Sequence, residues 1–187
     1  MVRRLDAGCV TYQTSDGATA VRHFINIADA GLGGEVVHRV NHGPKVLGGI
    51  QFTLTGITTL VGWKNKPMEV TIDGAARSLV AQQVVVANCQ YFGGGMQMAP
   101  TASPTDGVFD VITIGDAGFM EALWGMNDIR TGKHMEVHNP KIQHEYGKRI
   151  SVTSPEQVRI DLDGEQPGFL PALFEIQPSA IEFIAPR

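Results

Sequence analysis

The sequence lacks the features that mark membrane-spanning, secreted or nucleic-acid-binding proteins. None of its apolar runs approaches the roughly 18 residues that a transmembrane helix needs. The two arginines near the start are not followed by the apolar segment of a signal peptide. The net charge is −4, so there is no overall positive field to attract nucleic acid. We therefore expect a cytoplasmic protein that does not bind nucleic acid.

Cysteine is also scarce, with Cys9 and Cys89 as the two copies. Both lie in strand-like runs, where a small apolar thiol packs well. A disulfide between them is the alternative, but free thiols in a reducing compartment are favoured.

What the sequence does contain is typical of one globular domain, which we assign to residues 1–187. Of these residues, 43% are hydrophobic and 18% are charged. Short alternating strands separated by turn signals predict a mainly β fold, a sandwich or a barrel. Apolar residues at helical spacing predict helices at 45–63 and 117–133, and a third is expected around Glu35. We interpret Trp63 and Trp124 as core or rim packing.

Three consecutive glycines, Gly93, Gly94 and Gly95, follow a strand-like run. Glycine weakens a strand, but its bare backbone lets another group approach, and a run of N–H groups can face an anion. A β-bulge or a sharp bend is the structural alternative, and the residues alone favour it. A P-loop is excluded because no Gly-Lys-Ser/Thr follows.

Two acidic stretches could carry chemistry. Asp106 lies in a tight turn after a proline, where a carboxylate beside backbone carbonyls would suit Mg²⁺; an ordinary Asp-Gly turn is the alternative. Strand alternation places Arg159, Asp161 and Asp163 on one face, with Glu165 at the strand end. Repulsion between these carboxylates would raise their pKa values, as a general base requires. A solvated strand face is the alternative there.

The histidines give a weaker indication of a metal site. His134 and His138 stand four apart, as on a metal-binding helix, but Gly132 and Pro140 interrupt that helix and the order is wrong for a His-Glu-x-x-His site. The spacing therefore weighs against zinc.

Taken together, the motifs resemble the second domain of the diacylglycerol kinase and sphingosine kinase superfamily, and most of all its bacterial lipid kinases. The resemblance rests on NCQYFGGGMQMAPTASPTDGVFDVITI (88–114), on RIDLDGE (159–165) and on FEIQPSAIEFIAP (174–186). It extends to RRLDAG (3–8) and RHFINIADAGLGGEV (22–36), in the family's order. It implies a β-sandwich with two or three peripheral helices. The family's other domain, a Rossmann-like one carrying Gly-Gly-Asp-Gly-Thr, has no counterpart in these residues.

The resemblance also implies roles for particular residues. Glu165 matches the family's proton acceptor for the lipid hydroxyl. Asp106 matches its magnesium ligand, with the backbone carbonyls of Ser103 and Val108 as further ligands. Relatives often have a second aspartate where this chain has Thr105. The glycine triplet is expected near an interdomain cleft, within reach of the nucleotide.

The expected function is therefore that of a C-terminal lipid-kinase domain, with ATP as co-substrate and Mg²⁺ as cofactor, incomplete without a nucleotide domain in cis or in trans. The domain would attach peripherally to the membrane and meet its lipid substrate at the membrane surface. A free strand edge would allow it to form a homodimer. The alternatives are a lipid-binding or regulatory module without catalysis, and a subunit that pairs with a separate nucleotide-binding chain.

Overall fold

The computed structural model describes residues 2–43, 50–136 and 139–184. The strands are β1 Val2–Gln13, β2 Thr19–Phe24, β3 Ile27–Gly31, β4 Lys66–Ile72, β5 Ala75–Ala81, β6 Gln83–Ala87, β7 Tyr91–Phe92, β8 Met96–Gln97, β9 Phe109–Ile114, β10 Ile142–Gly147, β11 Arg149–Thr153, β12 Arg159–Leu162 and β13 Glu165–Ile184. The helices are α1 Leu32–His42, α2 Ile50–Gly62 and α3 Phe119–Arg130, with a 3₁₀ turn at Lys133–Met135.

Eleven of these strands form one antiparallel sheet that curls on itself. One half runs β10-β9-β6-β3-β12 and the other runs β13-β11-β4-β5, with β1 paired to β13 and β2 paired to β1. The 20-residue strand β13 belongs to both halves: its start pairs with β12, its middle with β11, and most of its length with β1. The curled sheet confirms the predicted β-sandwich-like fold.

The main core fills the space inside the curl. Strand alternation directs one side chain in two inward, and both halves contribute. Phe24, Phe109 and Phe174 form its centre, with the Phe24 ring stacked on Phe109 at 5.6 Å and edge-on to Phe174 at 6.3 Å. Because both halves of the sheet pack against this core, it holds the sheet in its curled shape.

A second apolar layer covers the outer face of the half that contains β6 and β9. Val85 and Ile112 point outward into it, whereas their neighbours point into the main core. These two strands are therefore buried on both faces, because α3 and the segment around Met98 pack over them. The helices lie on this outer face, and they create the cavity described below.

The structure corrects several details of the sequence-based expectations. The predicted strands at 172–178 and 180–186 are one continuous strand, β13, as far as Ile184. The helix predicted over 45–63 is present as α2 from Ile50, and its earlier residues lie outside the described ranges. Trp124 was expected to pack but is 72% exposed on α3. Cys9 and Cys89 are free thiols, as predicted. Within the described residues, no helix is long and apolar enough to cross a membrane.

Candidate functional site

A cavity of about 350 Å³ lies between the helices and the outer face of the sheet. Its floor comes from β3, β6, β9 and β12, its walls from α1, α2 and α3, and one rim from the turn between β7 and β8. The apolar residues that line it include Val36, Val37, Leu60, Met96, Met98, Met126 and Ile129. This volume and lining suit a small apolar ligand.

The floor of the cavity carries two carboxylates side by side. Asp29 of β3 and Asp161 of β12 are direct partners in the antiparallel pairing, so both point to the same face. Asp29 is fully buried and Asp161 is 5% exposed. Carboxylates are rarely buried this deeply without a pairing cation.

Asp29 lies beneath the first turn of α1. A Cβ added at Gly33 would lie 2.1 Å from the Oδ2 of Asp29, so the glycine is what lets the helix approach. Burial, and then the charge of Asp161, raise the pKa of Asp29 well above its ordinary value. Neither carboxylate oxygen has a hydrogen-bond partner of good geometry among the described residues. The Gly34 N–H and the Gln83 side chain offset only part of the rise in pKa.

Asp161, unlike Asp29, has a hydrogen-bond partner of good geometry. Its Oδ1 accepts a hydrogen bond of 2.8 Å from the Gly164 N–H. Burial raises its pKa to about 7; the Gly164 N–H opposes this rise and the charge of Asp163 adds to it. Two buried glutamines, Gln82 and Gln83, also line the cavity. The side-chain NH₂ group of Gln82 lacks a partner within the described part of the chain, whereas the side chain of Gln83 faces Asp29 without a hydrogen bond of good geometry.

Asp163 has a different role from the one that strand alternation predicted. It lies in the turn after β12, with φ of 52°, and not on the strand face beside Asp161. Its carboxylate accepts hydrogen bonds from the backbone N–H groups of Ile25, Asn26 and Ile27, at 2.8, 3.0 and 3.1 Å. Asp163 therefore ties the β12–β13 turn to the start of β3, at one end of the cavity.

Glu165 is the first residue of β13, directly after this turn. Its side chain is 69% exposed and forms an ion pair of 2.7 Å with Arg22. Asp163 and Gly164 line the cavity, whereas Glu165 lies next to that lining on the outside. The turn therefore presents an accessible carboxylate where the apolar cavity ends.

The glycine triplet forms the turn of a small hairpin. Gly93, Gly94 and Gly95 have φ values of 51°, 84° and 96°, and the turn closes through a hydrogen bond from the Gly95 N–H to the Phe92 carbonyl. These angles favour glycine, which explains the triplet locally. Gly93 and Gly94 also line the cavity. Approach of a nucleotide to this backbone stays a prediction.

The predicted magnesium turn is an exposed loop. Asp106 accepts one hydrogen bond in the described part of the chain, from the Val108 N–H to Oδ1, and donates its own N–H to the Ser103 carbonyl at 3.4 Å. The buried carboxylate of Asp6 holds the loop, because it accepts hydrogen bonds from the backbone N–H groups of Gly107 and Ser179. Among the described residues, no group of three or more His, Cys, Asp or Glu side chains is arranged so that it could hold a metal ion. The magnesium site stays a prediction.

Comparison with known proteins identifies the family. Residues 26–185 match the model of the YegS C-terminal domain, described as NAD kinase β-sandwich-like. The chain belongs to this family. The YegS-type domain thus accounts for almost all of the curled sheet, the helices and the cavity.

Similar curated proteins are named as lipid kinases. The chain is 27% identical over 166 residues to a protein of Shewanella frigidimarina named "Probable lipid kinase YegS-like", covering 88% of this chain and 52% of that one. It is 27% identical over 167 residues to the diacylglycerol kinase of Bacillus subtilis, covering 89% and 54%. The chain therefore spans about half the length of the curated relatives it matches.

A solved structure shows the same fold. A crystal structure of a diacylglycerol kinase from Bacillus anthracis superposes with a TM-score of 0.62 at 18% identity, covering 97% of this chain and 53% of that one. At this identity the likeness speaks for the architecture alone.

The sequence located the turn around Glu165 and singled out Asp161, but it missed the other polar residues on the floor of the cavity. Asp29 and the glutamines at 82 and 83 were not singled out, although a carboxylate within an otherwise apolar strand such as Ile27–Gly31 was a usable signal. Of the histidines in the YegS-type domain, His134 is buried with its Nε2 2.9 Å from the Met98 carbonyl, and burial lowers its pKa. His138 lies outside the described residues.

Proposed function

We propose that this chain is the lipid-binding and catalytic C-terminal domain of a diacylglycerol-kinase-type lipid kinase, which transfers the γ-phosphoryl group of ATP to a lipid hydroxyl. One observation carries the proposal: an apolar cavity ends at a turn that presents an exposed glutamate. An apolar chain in the cavity would place a hydroxyl-bearing head beside that turn. The names of the relatives supply the type of reaction.

In this proposal Glu165 accepts the proton of the lipid hydroxyl as its oxygen attacks the γ-phosphorus. Phosphoryl transfer depends mainly on positioning and on neutralising phosphate charge, and a general base contributes about 10²–10⁴-fold. The exposed position of Glu165 leaves it open to a phosphate arriving from outside the domain. Gly-Gly-Asp-Gly-Thr does not occur in the 187 residues, so the nucleotide site would come from another part of the protein, or from another chain.

Asp106 fits the role of a magnesium ligand in one respect. Its carboxylate is exposed, and its Oδ2 makes no hydrogen bond to the described residues. With the carbonyls of Ser103 and Val108 it would supply the oxygen ligands that Mg²⁺ prefers. Bound there, Mg²⁺ would support the loop or offset phosphate charge, and the three glycines at 93–95 would let the nucleotide approach the backbone.

The helices that line the cavity also support contact with a membrane. On α3, Met120 and Trp124 are 55% and 72% exposed, and on α2, Val61 is 69% exposed. Other residues of the same helices, Met126 and Leu60, line the cavity. Exposed aromatic and apolar side chains beside a cavity entrance suit peripheral attachment to a bilayer that delivers the lipid.

The test is a phosphorylation assay with labelled ATP, Mg²⁺ and diacylglycerol vesicles, run with the chain alone and with the N-terminal half of the Bacillus subtilis kinase added. We expect product when the added half supplies the nucleotide site. Glu165→Gln should lower turnover by about 10²-fold or more. Its melting temperature should barely change, because an exposed ion pair contributes about 0–1 kcal/mol. Glu69→Gln, an exposed change on the distant strand β4, is the control.

Near-normal turnover by Glu165→Gln in an active mixture would refute the base role. Asp106→Asn tests the magnesium site in the same assay, since it keeps an oxygen for the Val108 N–H but removes the charge. We expect it to require several-fold more Mg²⁺ for half-maximal activity. An unchanged magnesium titration would remove Asp106 from the proposal.

A second candidate function is lipid binding without catalysis. The described residues of this chain build the cavity without help from another domain, so a lipid could be held with no nucleotide present. Native mass spectrometry after mixing with lipid would detect such a complex. Retention of lipid, with no phosphorylation in any mixture, would favour this function.

A further inference from the structure

Asn88 is a buried polar residue that the proposed reaction leaves unexplained. It follows β6 directly, is 0% exposed, and is not among the described residues that line the cavity. Its Oδ1 has no hydrogen-bond partner within the described ranges. A buried amide with an unpaired oxygen is unfavourable, so the value of this side chain must lie in what its NH₂ group does.

The NH₂ group of Asn88 joins two backbone carbonyls at breaks in the strand ladders. Its Nδ2 donates to the carbonyl of Asp6 at 3.0 Å and to the carbonyl of Ile25 at 2.7 Å. Asp6 is skipped in the pairing of β1 with β13, and Ile25 lies in the corner between β2 and β3. Buried carbonyls need partners, and an amide brings two donors on one nitrogen. Asn88 therefore connects β1 to the β2–β3 corner.

The β2–β3 corner, Ile25 and Asn26, is held from its other side by the turn after β12. The backbone N–H groups of both residues donate to the carboxylate of Asp163, at 2.8 and 3.0 Å. The carbonyl of Asn26 accepts the Asn88 N–H at 2.9 Å. Asn88 and Asp163 thus hold the same two residues, one through their carbonyls and the other through their N–H groups. A shift of the corner would move Asp163, and with it Glu165 two residues later.

The placement of Glu165 depends on this backbone because its side chain is weakly held. Its ion pair with Arg22 is exposed at both ends, and such pairs contribute little. A general base has to stand in one position relative to the reacting oxygen. A misplacement of about 1 Å can cost about 10²-fold in rate, even when the mutation lies far from the chemistry.

The same set of hydrogen bonds reaches the exposed loop at residues 103–108. The carboxylate of Asp6, whose carbonyl accepts from Asn88, also accepts the Gly107 N–H at 2.8 Å. A contiguous network of this kind can couple two sites. From the loop to the turn it runs through Gly107, Asp6, Asn88, Ile25 and Asp163.

We propose that Asn88 is a positioning residue for Glu165, and that it couples the 103–108 loop to the turn at residues 163–165. The proposal rests on the proposed function for the role of Glu165 as the base. Because Asn88 does not line the cavity, its loss should lower kcat and leave the KM for the lipid nearly constant.

The first test is the complemented phosphorylation assay with two variants. Asn88→Ser keeps one donor and should lower kcat about 10-fold, and Asn88→Ala keeps none and should lower it about 10²-fold. Val152→Ala is the control for a general loss of stability, because it removes methyl groups from the main core on β11 and leaves the network intact. It should lower the melting temperature without lowering kcat.

The second test needs no ATP and detects the coupling directly by NMR of the ¹⁵N-labelled chain. Gly107→Ala strains the loop through its positive φ, since nothing lies within 4 Å of the new methyl group. We expect this change to shift the amide signals of Gly164 and Glu165, and to shift them much less in the Asn88→Ser chain. Gly74→Ala, with a positive φ and equally open space in the β4–β5 turn, is the matched control and should leave both signals in place.

An unchanged kcat in both Asn88 variants, or an equal loss of kcat in Val152→Ala, would overturn the proposal. So would Glu165 signals that do not respond to Gly107→Ala, or that respond equally without Asn88. If Asn88→Ala does not fold, Asn88→Ser still decides both tests. Failure of the kinase function would show instead as an absence of product from the parent mixture, with the NMR coupling intact, so the two failures are distinguishable.

Discussion

The buried carboxylate of Asp161 makes a strong prediction about stability. The folded domain holds the Asp161 proton up to about pH 7, whereas the ordinary pKa of 3.8 applies in the unfolded chain. Between these values the folded state binds more protons than the unfolded state, so the free energy of unfolding falls as the pH rises. The contribution of protonated Asp161 to the free energy of unfolding is fully present below about pH 4 and is lost by about pH 7.

The size of the effect follows from the shift in pKa. Each pKa unit corresponds to about 1.4 kcal/mol, so the domain should lose about 3 kcal/mol between pH 5 and pH 8. Asp161→Asn removes the titrating group but keeps an oxygen for the Gly164 N–H. It also removes the charge that helps to raise the pKa of Asp29. We therefore expect the advantage of the variant over the parent in free energy of unfolding to be about 3 kcal/mol larger at pH 8 than at pH 5.

The assay is thermal and urea unfolding of both proteins at several pH values. For a chain of this size, about 3 kcal/mol corresponds to about 6–12 °C in melting temperature. Only the difference between parent and variant is compared, because other groups also titrate over this range. If the two proteins show parallel pH profiles, or if the variant is less stable at pH 8, then Asp161 is not a buried, destabilising carboxylate and the argument fails.

Substitutions at three further positions test local features by thermal unfolding. Gly94→Ala should cost about 1–2 kcal/mol through its positive φ alone, since nothing lies within 4 Å of the new methyl group; an unchanged melt would contradict the hairpin geometry. Gly125→Ala, in equally open space inside α3, should instead stabilise the domain by about 0.5–1 kcal/mol, and a loss would mean that the helix is wrongly placed. Asp163→Ala should cost about 2–4 kcal/mol because three backbone N–H groups lose a charged acceptor, whereas Asp163→Asn should cost less; equal melts for Ala, Asn and parent would show that the turn does not depend on this carboxylate.

Much of the fold could be predicted from the sequence because its periodicity is local. Alternation along Phe109–Ile114 places Val111 and Ile112 on opposite faces, and the two residues lie in different apolar layers. The merging of two predicted strands into β13 could not be foreseen. Pro178 and Ser179 look like a turn, and they do interrupt the pairing with β1, with φ of 55° at Ser179, but the pairing resumes at Ile181 and the strand continues.

Part of the candidate site could likewise be predicted from the sequence, and part could not. Glu165 was found because its motif is contiguous, and its accessible position agrees with the predicted role without testing it. Asp161 was also singled out, but Asp29 beside it was missed because their contact depends on strand pairing. Asp29 and Asp161 are far apart in sequence, and only the register between β3 and β12 brings them together. The turn at Asp163 was misassigned because a positive φ at a non-glycine residue breaks strand alternation without an obvious signal.

The shared strand β13 has a consequence for the order in which the domain can assemble during synthesis. Its partners β1, β11 and β12 are all made earlier, and Val2 finds its partner only when Ile184 has emerged. The pairings that join the two halves through β13 and β1 are not complete before then, so folding of the domain depends on contacts between residues far apart in sequence and should be slow. Until that point the waiting strand edges are open to other nascent chains, and aggregation should compete with folding when expression is fast.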